Sequence, residues 1–446
     1  MHPVLCTAPM IQWTDRHWRY MFRYITKETL LYSEMVVDGT LIHNANDLEV
    51  FLGHKEVEHP LCLQLGGCDP VRVGEAAYLC EGYSDWHSIN LNCGCPSNKA
   101  KKAGFGAELM LDPVNTGRIV KEMIRRVSRH EVTVKCRLGV LPDHDSYEEL
   151  TRFIGEVTNA GAKTLILHAR NVVLTGLSPA QNRNVPPLKY DWVHRLVKEW
   201  PDVTFVLNGG IHTFEEVEQH VGWGDACEQN PVAGCMIGRE AYKNPWLFAD
   251  ADRRFFNKSN PNVTRREALE GYLDHCIDYA SFVADQNSLR GVELAALRGC
   301  EASEEDDPVC RLDGSNSDST ADVTKRARKH RVYSIGDMIK PLHNFFSGCP
   351  TGQKHYKQRL DELMHHFAAA KNARRSKTEH LWKVGESGGE AEVEGGDVRR
   401  RGEFVFDFAQ LDKEETGELL RDMTLQAVKD TVPDSFLDAL PAPEPL

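Results

Sequence analysis

Eight short apolar runs, separated by segments of helix length, occupy the first 245 residues of this chain. They begin at Val4, Leu30, Leu61, His87, Val132, Thr164, Val203 and Gly234. Most are continuously apolar, which is typical of parallel strands that are covered on both faces. The pattern predicts an α/β fold, a (β/α)8 TIM barrel. A doubly wound sheet is the alternative, but it needs a G-x-G-x-x-G turn after its first strand, and none follows residues 4–10.

Helix signals fall in the gaps between these runs. Asp69-Pro70 and Asp112-Pro113 each pair an N-cap residue with a proline at the first helical position. Ser146 with Glu149 has the spacing of a capping box. These signals predict helices through Cys80, through Arg129 and from Ser146 onward.

Polar side chains or glycines end six successive runs, the third to the eighth. They are Gln64, Gly66 and Gly67; Asn90 and Asn92; Lys135 and Arg137; His168 and Arg170; Asn208, Gly209 and Gly210; Gly238 and Arg239. In a barrel the carboxyl ends of all strands meet on one face, where the active site lies. The glycines after the seventh and eighth runs stand where barrels commonly bind phosphate, and an arginine there suits oxygen ligands. The sequence therefore predicts a phosphorylated cofactor or substrate.

The fourth run leads into the stretch WHSINLNCGCPSNKAKKAGFGA, residues 86–107. Its strand breaks at Gly94, so that Cys95 is fixed between a glycine and a proline at a strand's carboxyl end. This is a suitable position for a reactive thiol. The alternative is a small buried hydrophobe, the commonest environment of free cysteine.

Charge is unevenly distributed along the chain, whose net charge is −13. Residues 285–322 carry ten acids and three bases, whereas residues 323–384 carry fourteen bases and four acids. The basic segment is a candidate polyanion-binding surface, although a charge run is more often a solvated face. No apolar run is long enough to span a membrane. The scattered cysteines favour reduced thiols in an intracellular compartment, cytoplasmic or organellar if a presequence lies upstream.

The motifs resemble, in order and spacing, those of the A-type tRNA-dihydrouridine synthases, flavoenzymes that reduce a uracil ring in tRNA. They are TAPMIQWTDRHWRY, LLYSEMV, VEHPLCLQLGG, the GCPS loop, VTVKCRLG, LHARNVVLTGLSP, NRNVPPL, LNGGI and IGREAYKNP. The resemblance implies FMN as the cofactor and NADPH as the reductant, with Cys95 as the proton donor. Cys93 stands where the family has an aliphatic residue, so it is interpreted as strand core. Uridine 20 or 20a of the D-loop is the implied target.

Site residues follow from the same resemblance. Those implied for FMN are Pro9, Met10, Gln64, Lys135, His168, Asn208, Gly209, Gly210, Gly238 and Arg239. Those implied for the uracil and its phosphate are Asn92, Arg137, Arg170, Asn182 and Arg183. No metal ion and no membrane partner are expected. The protein is expected to be a monomer.

Three segments are predicted along the chain. Residues 1–262 form the barrel, and residues 263–371 form a helical tRNA-binding domain interrupted by the acidic insertion 285–322. Residues 372–446 form a linker and an acidic, largely disordered extension, with an amphipathic helix at 411–428. Two other functions stay open: a flavin barrel that reduces a free small molecule, of the dihydroorotate or ene-reductase type, and a non-catalytic tRNA chaperone.

Overall fold

The computed structural model describes residues 4–223, 230–279, 335–365 and 413–440. Eight parallel strands form the predicted barrel: β1 (Val4–Thr7), β2 (Leu31–Val37), β3 (Leu61–Gly66), β4 (Ser88–Cys93), β5 (Glu131–Cys136), β6 (Thr164–His168), β7 (Thr204–Asn208) and β8 (Gly234–Ile237). From β2 onward each strand pairs with the next in the chain, and β8 pairs with β1. A parallel bridge between Cys6 and Leu30 joins β1 to β2 and closes the ring. The barrel prediction is confirmed.

Helices surround the strands. They are Arg16–Phe22, Asp38–Ile42, Glu49–Leu52, Pro70–Tyr83, Asn98–Lys102, Pro113–Arg126, Tyr147–Asn159, Tyr190–Glu199, Phe214–His220, Arg239–Lys243 and Ala251–Phe256. Short 3-10 turns cover Glu56–Glu58, Gly106–Leu111, Gln181–Arg183 and Pro245–Asp250. Two further strands, Val140–Leu141 and Val172–Val173, pair with each other beside the carboxyl ends of the barrel strands β5 and β6.

The predicted helix starts have their capping bonds. The Asp69 carboxylate accepts from the Arg72 amide at 2.9 Å, and the Asp112 carboxylate accepts from the Asn115 amide at 3.0 Å. Ser146 accepts from the Glu149 amide at 3.1 Å, which is one half of the predicted capping box. The Glu149 carboxylate turns instead to His144, 2.8 Å away. A satisfied N-cap stabilises a helix by about 1 kcal/mol, so these positions start each helix at a defined residue.

The barrel interior explains the continuous apolar runs. Every residue of β3 and of β4 is buried. Inward-pointing residues form one cluster, which comprises Cys6, Ala8, Leu30, Tyr32, Cys62, Ile166, Val206 and Met236. Outward-pointing residues pack against the helices, so both faces of each strand are shielded from water. Polar groups concentrate at the carboxyl ends, where the interior opens.

A second compact unit comprises the described residues between 269 and 343 and between 349 and 438, while residues 344–348 and 439–440 belong with the barrel. Its helical parts are residues 265–279 (from residue 269), Ile335–Ile339, Lys340–Asn344 (to residue 343), 353–365, Lys413–Thr431 and Asp434–Leu437. Tyr272 donates its hydroxyl hydrogen to the Met338 carbonyl at 2.5 Å, joining two of these segments. The predicted acidic insertion, residues 285–322, lies outside the described residues, as does residue range 372–412 of the predicted linker.

The helix Lys413–Thr431 lies in the segment that the sequence assigned to a largely disordered extension, close to the amphipathic helix predicted at 411–428. Leu420, Ala427 and Val428 are buried along one face of it. Gly352, at a φ of +81°, approaches the end of this helix so closely that an added Cβ would lie 1.6 Å from the Thr431 carbonyl oxygen. The apolar face is therefore part of a packed unit.

Candidate active site

A cavity of about 430 Å³ opens at the carboxyl ends of the barrel strands. It has the size of a small-molecule or cofactor site. The predicted residues that line it are Pro9, Met10, Gln64, Asn92, Cys95, Lys135, Arg137, His168, Arg183, Asn208, Gly209, Gly210, Gly238 and Arg239. The strands therefore bring together all the residues implied for the cofactor, the predicted thiol, and three of the five implied for the substrate.

One side of the cavity is apolar. Ala8, Pro9 and Met10 follow β1, and Met35 and Met236 come from β2 and β8. Met10 packs against the buried barrel cluster, so this surface is continuous with the core. Such a surface suits the face of a flat ring system. The side chains that line the cavity from β3 to β7 are mostly polar.

Asn92 fixes the turn that carries Cys95. Its side-chain oxygen accepts from the backbone amides of Gly94 at 3.1 Å and of Cys95 at 2.9 Å. Its amide nitrogen donates to the Gln64 side-chain oxygen at 2.8 Å. Asn92, predicted to bind substrate, thus has a structural task in holding the thiol loop, and it lines the cavity as well.

Gly106 packs closely against the backbone of the Cys95 loop. It adopts a φ of +71°, and a Cβ there would lie 2.6 Å from the Cys95 carbonyl oxygen. That oxygen accepts from the Ala107 amide at 3.0 Å. Cys95 is consequently held from both ends while its side chain stays partly exposed to the cavity. Cys93 is completely buried in β4, as predicted for strand core.

Lys135 projects from β5 into the cavity. Burial, and after it the neighbouring Arg137, lowers the pKa of its ammonium group to about 8. The Lys135 Nζ donates to the Asn208 side-chain oxygen at 3.0 Å, and Asn208 in turn donates to the Met236 carbonyl. Among the described residues this ammonium has no carboxylate in an ion pair with it, and a buried cation of this kind favours an anionic ligand nearby.

Several cations surround the same space. Burial, together with Arg137, Lys135 and other arginines, holds the pKa of His168 well below its ordinary value, so this imidazole is neutral at pH 7. Within the described ranges, none of the ion pairs involves Lys135, Arg137, Arg183 or Arg239. The Arg183 Nε is buried without a hydrogen-bond partner among the described residues. Uncompensated positive charge of this kind fits a phosphate.

The glycine pair after β7 forms a cradle. Gly209 and Gly210 adopt φ values of +108° and +77°. A Cβ on Gly209 would lie 2.5 Å from His168, and one on Gly210 would lie 2.6 Å from the Tyr190 hydroxyl. Tyr190 donates that hydroxyl hydrogen to the Gly209 carbonyl at 2.7 Å. Only glycine permits this backbone, whose amides are then free to approach an anion.

Arg137 lines the cavity, but its hydrogen bonds are made to the protein backbone. It is 3 % exposed and donates to the carbonyls of Gly94 at 3.1 Å, Asn171 at 3.1 Å and Asn182 at 3.0 Å. Burial lowers its pKa to about 10. It therefore ties the Cys95 loop to the loops that follow β6.

Arg170 and Asn182 do not line the cavity. Asn182 is completely buried. Its side-chain oxygen accepts from the Val173 amide at 2.8 Å, and its side-chain nitrogen donates to the Val173 carbonyl at 2.9 Å. Arg170 donates to the carbonyls of Asn184 and Pro186. Both side chains support the loop that presents Arg183, so this geometry gives no support to their predicted contact with substrate.

Sequence reasoning missed several residues of the site. Trp13 lines the cavity and stacks on Tyr242, with ring centroids 4.5 Å apart. Ile11 lines the mouth and is 53 % exposed. Both lie in the motif TAPMIQWTDRHWRY, which begins at the end of β1. This motif was the sequence signal that could have identified them. Tyr190 carried no such signal, because it belongs to a surface helix and reaches the glycine pair only through the fold.

Cations of the predicted basic segment, residues 323–384, have varied surroundings. Lys340 pairs with Asp337 at 2.6 Å, and Arg359 pairs with Glu362 at 3.2 Å. Lys354 is exposed. The most basic part of the predicted surface, residues 325–331, lies outside the described residues.

Fold and cavity together define a (β/α)8 barrel whose cavity has an apolar side, several cations and a thiol at its mouth, at the end of the barrel where such enzymes have their active sites. Within the described ranges no group of three or more His, Cys, Asp or Glu residues could hold a metal ion. Nor is any of the described helices both long and apolar enough to cross a membrane.

Comparison with known proteins identifies the family. The dihydrouridine synthase (Dus) family model matches residues 6–330. The tRNA-dihydrouridine(20/20a) synthase of Pseudomonas putida is 46% identical over 264 residues, 59% of this chain and 74% of that protein. The enzyme of the same name from Escherichia coli K12 is 44% identical over 282 residues, 62% of this chain and 77% of that protein. An old yellow enzyme homologue from Zymomonas mobilis is 13% identical in sequence, with a TM-score of 0.40, over 58% of this chain and 90% of its own.

The chain belongs to the dihydrouridine synthase family. The resemblance that the motifs indicated is thereby confirmed, and with it an oxidoreductase of the flavin barrel class. Membership of this family points to a flavin as the cofactor.

Proposed function

We propose that this protein is an FMN-dependent, NADPH-driven tRNA-dihydrouridine synthase that reduces the 5,6 double bond of D-loop uridines, at position 20 or 20a. The observation that carries the proposal is the position of Cys95 in a family member, on the rim of a cavity with one apolar face and an uncompensated cationic edge. Two relatives named for activity at 20/20a support the choice of position.

The residues present fit FMN. The apolar surface of Pro9 and Met10 suits the flat ring, and Gln64 and Lys135 stand on the polar side. The positive-φ cradle of Gly209 and Gly210, together with Arg239 on the same cavity, suits a phosphate. When bound and reduced, a flavin supplies the hydride for carbon 6 of the uracil. Lys135 is placed to stabilise negative charge on the ring's polar edge.

Cys95 supplies the proton. Its thiol faces the cavity from the loop after β4, and Asn92 and Arg137 fix that loop through the Gly94–Cys95 backbone. A proton that leaves the Cys95 Sγ is added to carbon 5 while carbon 6 is reduced, so the double bond is saturated. Arg183, and the rim residue Trp13, are placed to hold the base and its phosphate.

A folded tRNA buries its bases, so the target uridine must leave its stack to enter a cavity of this kind. Affinity for the rest of the tRNA has to come from phosphate contacts. The basic residues of the helical domain are the proposed source of those contacts. This requirement separates the proposal from a reductase of a free small molecule, which needs no such surface.

Replacing Cys95 tests the proposal. Cys95→Ala should lower dihydrouridine formation by about 10²- to 10⁴-fold, the usual cost of removing a positioned general acid. Flavin content and NADPH oxidation should stay near the wild-type level, because neither requires the thiol. Dihydrouridine is measured by mass spectrometry of digested tRNA, with tRNA that lacks the modification as substrate.

Cys68→Ala is the matched control, since Cys68 is another partly exposed thiol and does not line the cavity. It should keep full activity. Wild-type dihydrouridine formation by Cys95→Ala, or a folded Cys93→Ala variant that is equally inactive, would contradict the assignment. Turnover of a small enone or dihydroorotate with no action on tRNA would favour the small-molecule alternative.

A further inference from the structure

A buried chain of hydrogen bonds extends from the Cys95 turn into the middle of the barrel. Asn92 donates to Gln64, as described above, and the Gln64 Nε2 donates onward to the Asn90 Oδ1 at 2.8 Å. The Asn90 Nδ2 then donates to the Thr133 Oγ1, also at 2.8 Å. Asn90 is 0 % exposed and Thr133 is 2 % exposed.

Each bond in this chain determines the direction of the next. The backbone amides of Gly94 and Cys95 can only donate, so the Asn92 oxygen must face them. Its NH2 group must then face Gln64, which has to present its oxygen. The Gln64 NH2 group consequently faces the Asn90 oxygen, and the Asn90 NH2 group faces Thr133. Thr133, the last member, must accept.

We propose that Asn90 and Thr133 are positioning residues that hold the Gln64 and Asn92 amides in the orientation set by the Gly94 and Cys95 backbone, and thereby keep the Cys95 turn closed. Neither residue lines the cavity. Their side chains connect to the Cys95 turn through Gln64 and Asn92. The connection also links the polar edge of the cavity to the proton donor, since Gln64 belongs to both.

Loss of the Thr133 acceptor should weaken the far end of the chain. With valine at this position the Asn90 NH2 group has no partner, so a half-turn of the Asn90 amide loses no hydrogen bond at this end and loses only the bond to Gln64 at the other. That half-turn sets two NH2 groups against each other at Gln64 unless Gln64 and Asn92 turn as well. A turned Asn92 would point its NH2 group at the backbone amides of Gly94 and Cys95, and the turn would open.

Thr133→Val is therefore the test, because valine keeps the shape and the β-branch. The rate at which iodoacetamide alkylates Cys95 in the flavin-free protein is measured by mass spectrometry of the Cys95 peptide. It should rise about threefold to tenfold, the range that a single neutral hydrogen bond is worth. Affinity of the apoprotein for FMN should fall over the same range, because Gln64 is no longer held.

Two controls separate the hydrogen bond from general destabilisation. Thr133→Ser retains the hydroxyl and should restore both values to within about twofold of wild type. Thr29→Val removes another completely buried hydroxyl, which bonds the Thr26 hydroxyl at 2.8 Å just before β2, at the amino end of the strands. It should lower stability and leave Cys95 alkylation unchanged.

Equal alkylation rates in Thr133→Val and Thr29→Val would overturn the proposal. So would a Thr133→Ser variant as strongly affected as Thr133→Val, since packing would then explain the result. If Thr133→Val does not fold, Thr133→Cys supplies a weaker acceptor of similar size, and the rate should shift in the same direction. The catalytic importance of this hydrogen-bond chain rests on the proposed role of Cys95, but the alkylation test does not depend on it. Absence of tRNA reduction in the wild type would refute the proposed function and would leave the alkylation result unaffected.

Discussion

Lys135→Met should stabilise the flavin-free protein while it weakens flavin binding. Burial lowers the pKa of Lys135 from 10.5 to about 8. At about 1.4 kcal/mol per pKa unit, holding the charged lysine in the folded state costs about 3 kcal/mol at pH 7. Methionine has a similar length and no charge. It leaves the Asn208 oxygen without its donor, which costs about 1–2 kcal/mol, so the net gain at pH 7 is about 1–2 kcal/mol.

The pH dependence has a definite sign. The folded pKa lies below the unfolded one, so between pH 8 and 10.5 the unfolded chain binds more protons and wild-type stability rises with pH. At pH 9.5 the cost of the buried charge has fallen to about 1.4 kcal/mol. The advantage of Lys135→Met should therefore shrink by about 2 kcal/mol between pH 7 and pH 9.5.

Urea titrations of the flavin-free proteins at the two pH values measure this difference. Lys163→Met, at an exposed position before the start of β6, is the control and should show no such pH dependence. An advantage of Lys135→Met that is the same at pH 7 and pH 9.5 would refute the assigned cost of the buried charge. Titration of FMN into both apoproteins should show much weaker binding to Lys135→Met at pH 7. Full flavin occupancy in that variant would show that Lys135 is not needed to bind the cofactor.

Gly210→Ala should lower FMN affinity at least tenfold in an apoprotein titration, because the new Cβ would collide with Tyr190 in a left-handed backbone; unchanged affinity would mean that the cradle is not the phosphate site. Gly352→Ala should destabilise the helical unit, where the Cβ would meet the Thr431 carbonyl, and leave the flavin spectrum of the barrel unchanged; an equal melting temperature would show that the C-terminal helix is not held there. Neutralising the four cations within residues 325–329 should weaken tRNA binding and flatten its salt dependence, and an unchanged salt slope would move the binding surface to the barrel rim.

Periodicity along the chain was enough to predict the barrel. Parallel strands buried on both faces must be continuously apolar, and the starts at residues such as Leu61 and Thr164 agree with the structure. The site was predictable for a related reason. Barrel topology brings every strand's carboxyl end to one face, so polar groups spaced along the sequence, such as Gln64 and Lys135, had to converge there.

What the sequence could not decide was which polar groups face the cavity and which support it. Asn182 and Arg137 looked alike as candidate ligands. In the structure the Val173 backbone satisfies both the oxygen and the nitrogen of the Asn182 amide, and backbone carbonyls accept from the Nε and Nη1 of Arg137. Tyr190 and Thr133 gave no signal, since their partners lie in other elements and become neighbours only when the barrel closes. The pKa of Lys135 likewise depends on burial, which local sequence does not encode. The sequence by itself thus determined the barrel and the place of its chemistry, whereas the tertiary structure alone decided the hydrogen bonds and electrostatics that set each residue's role.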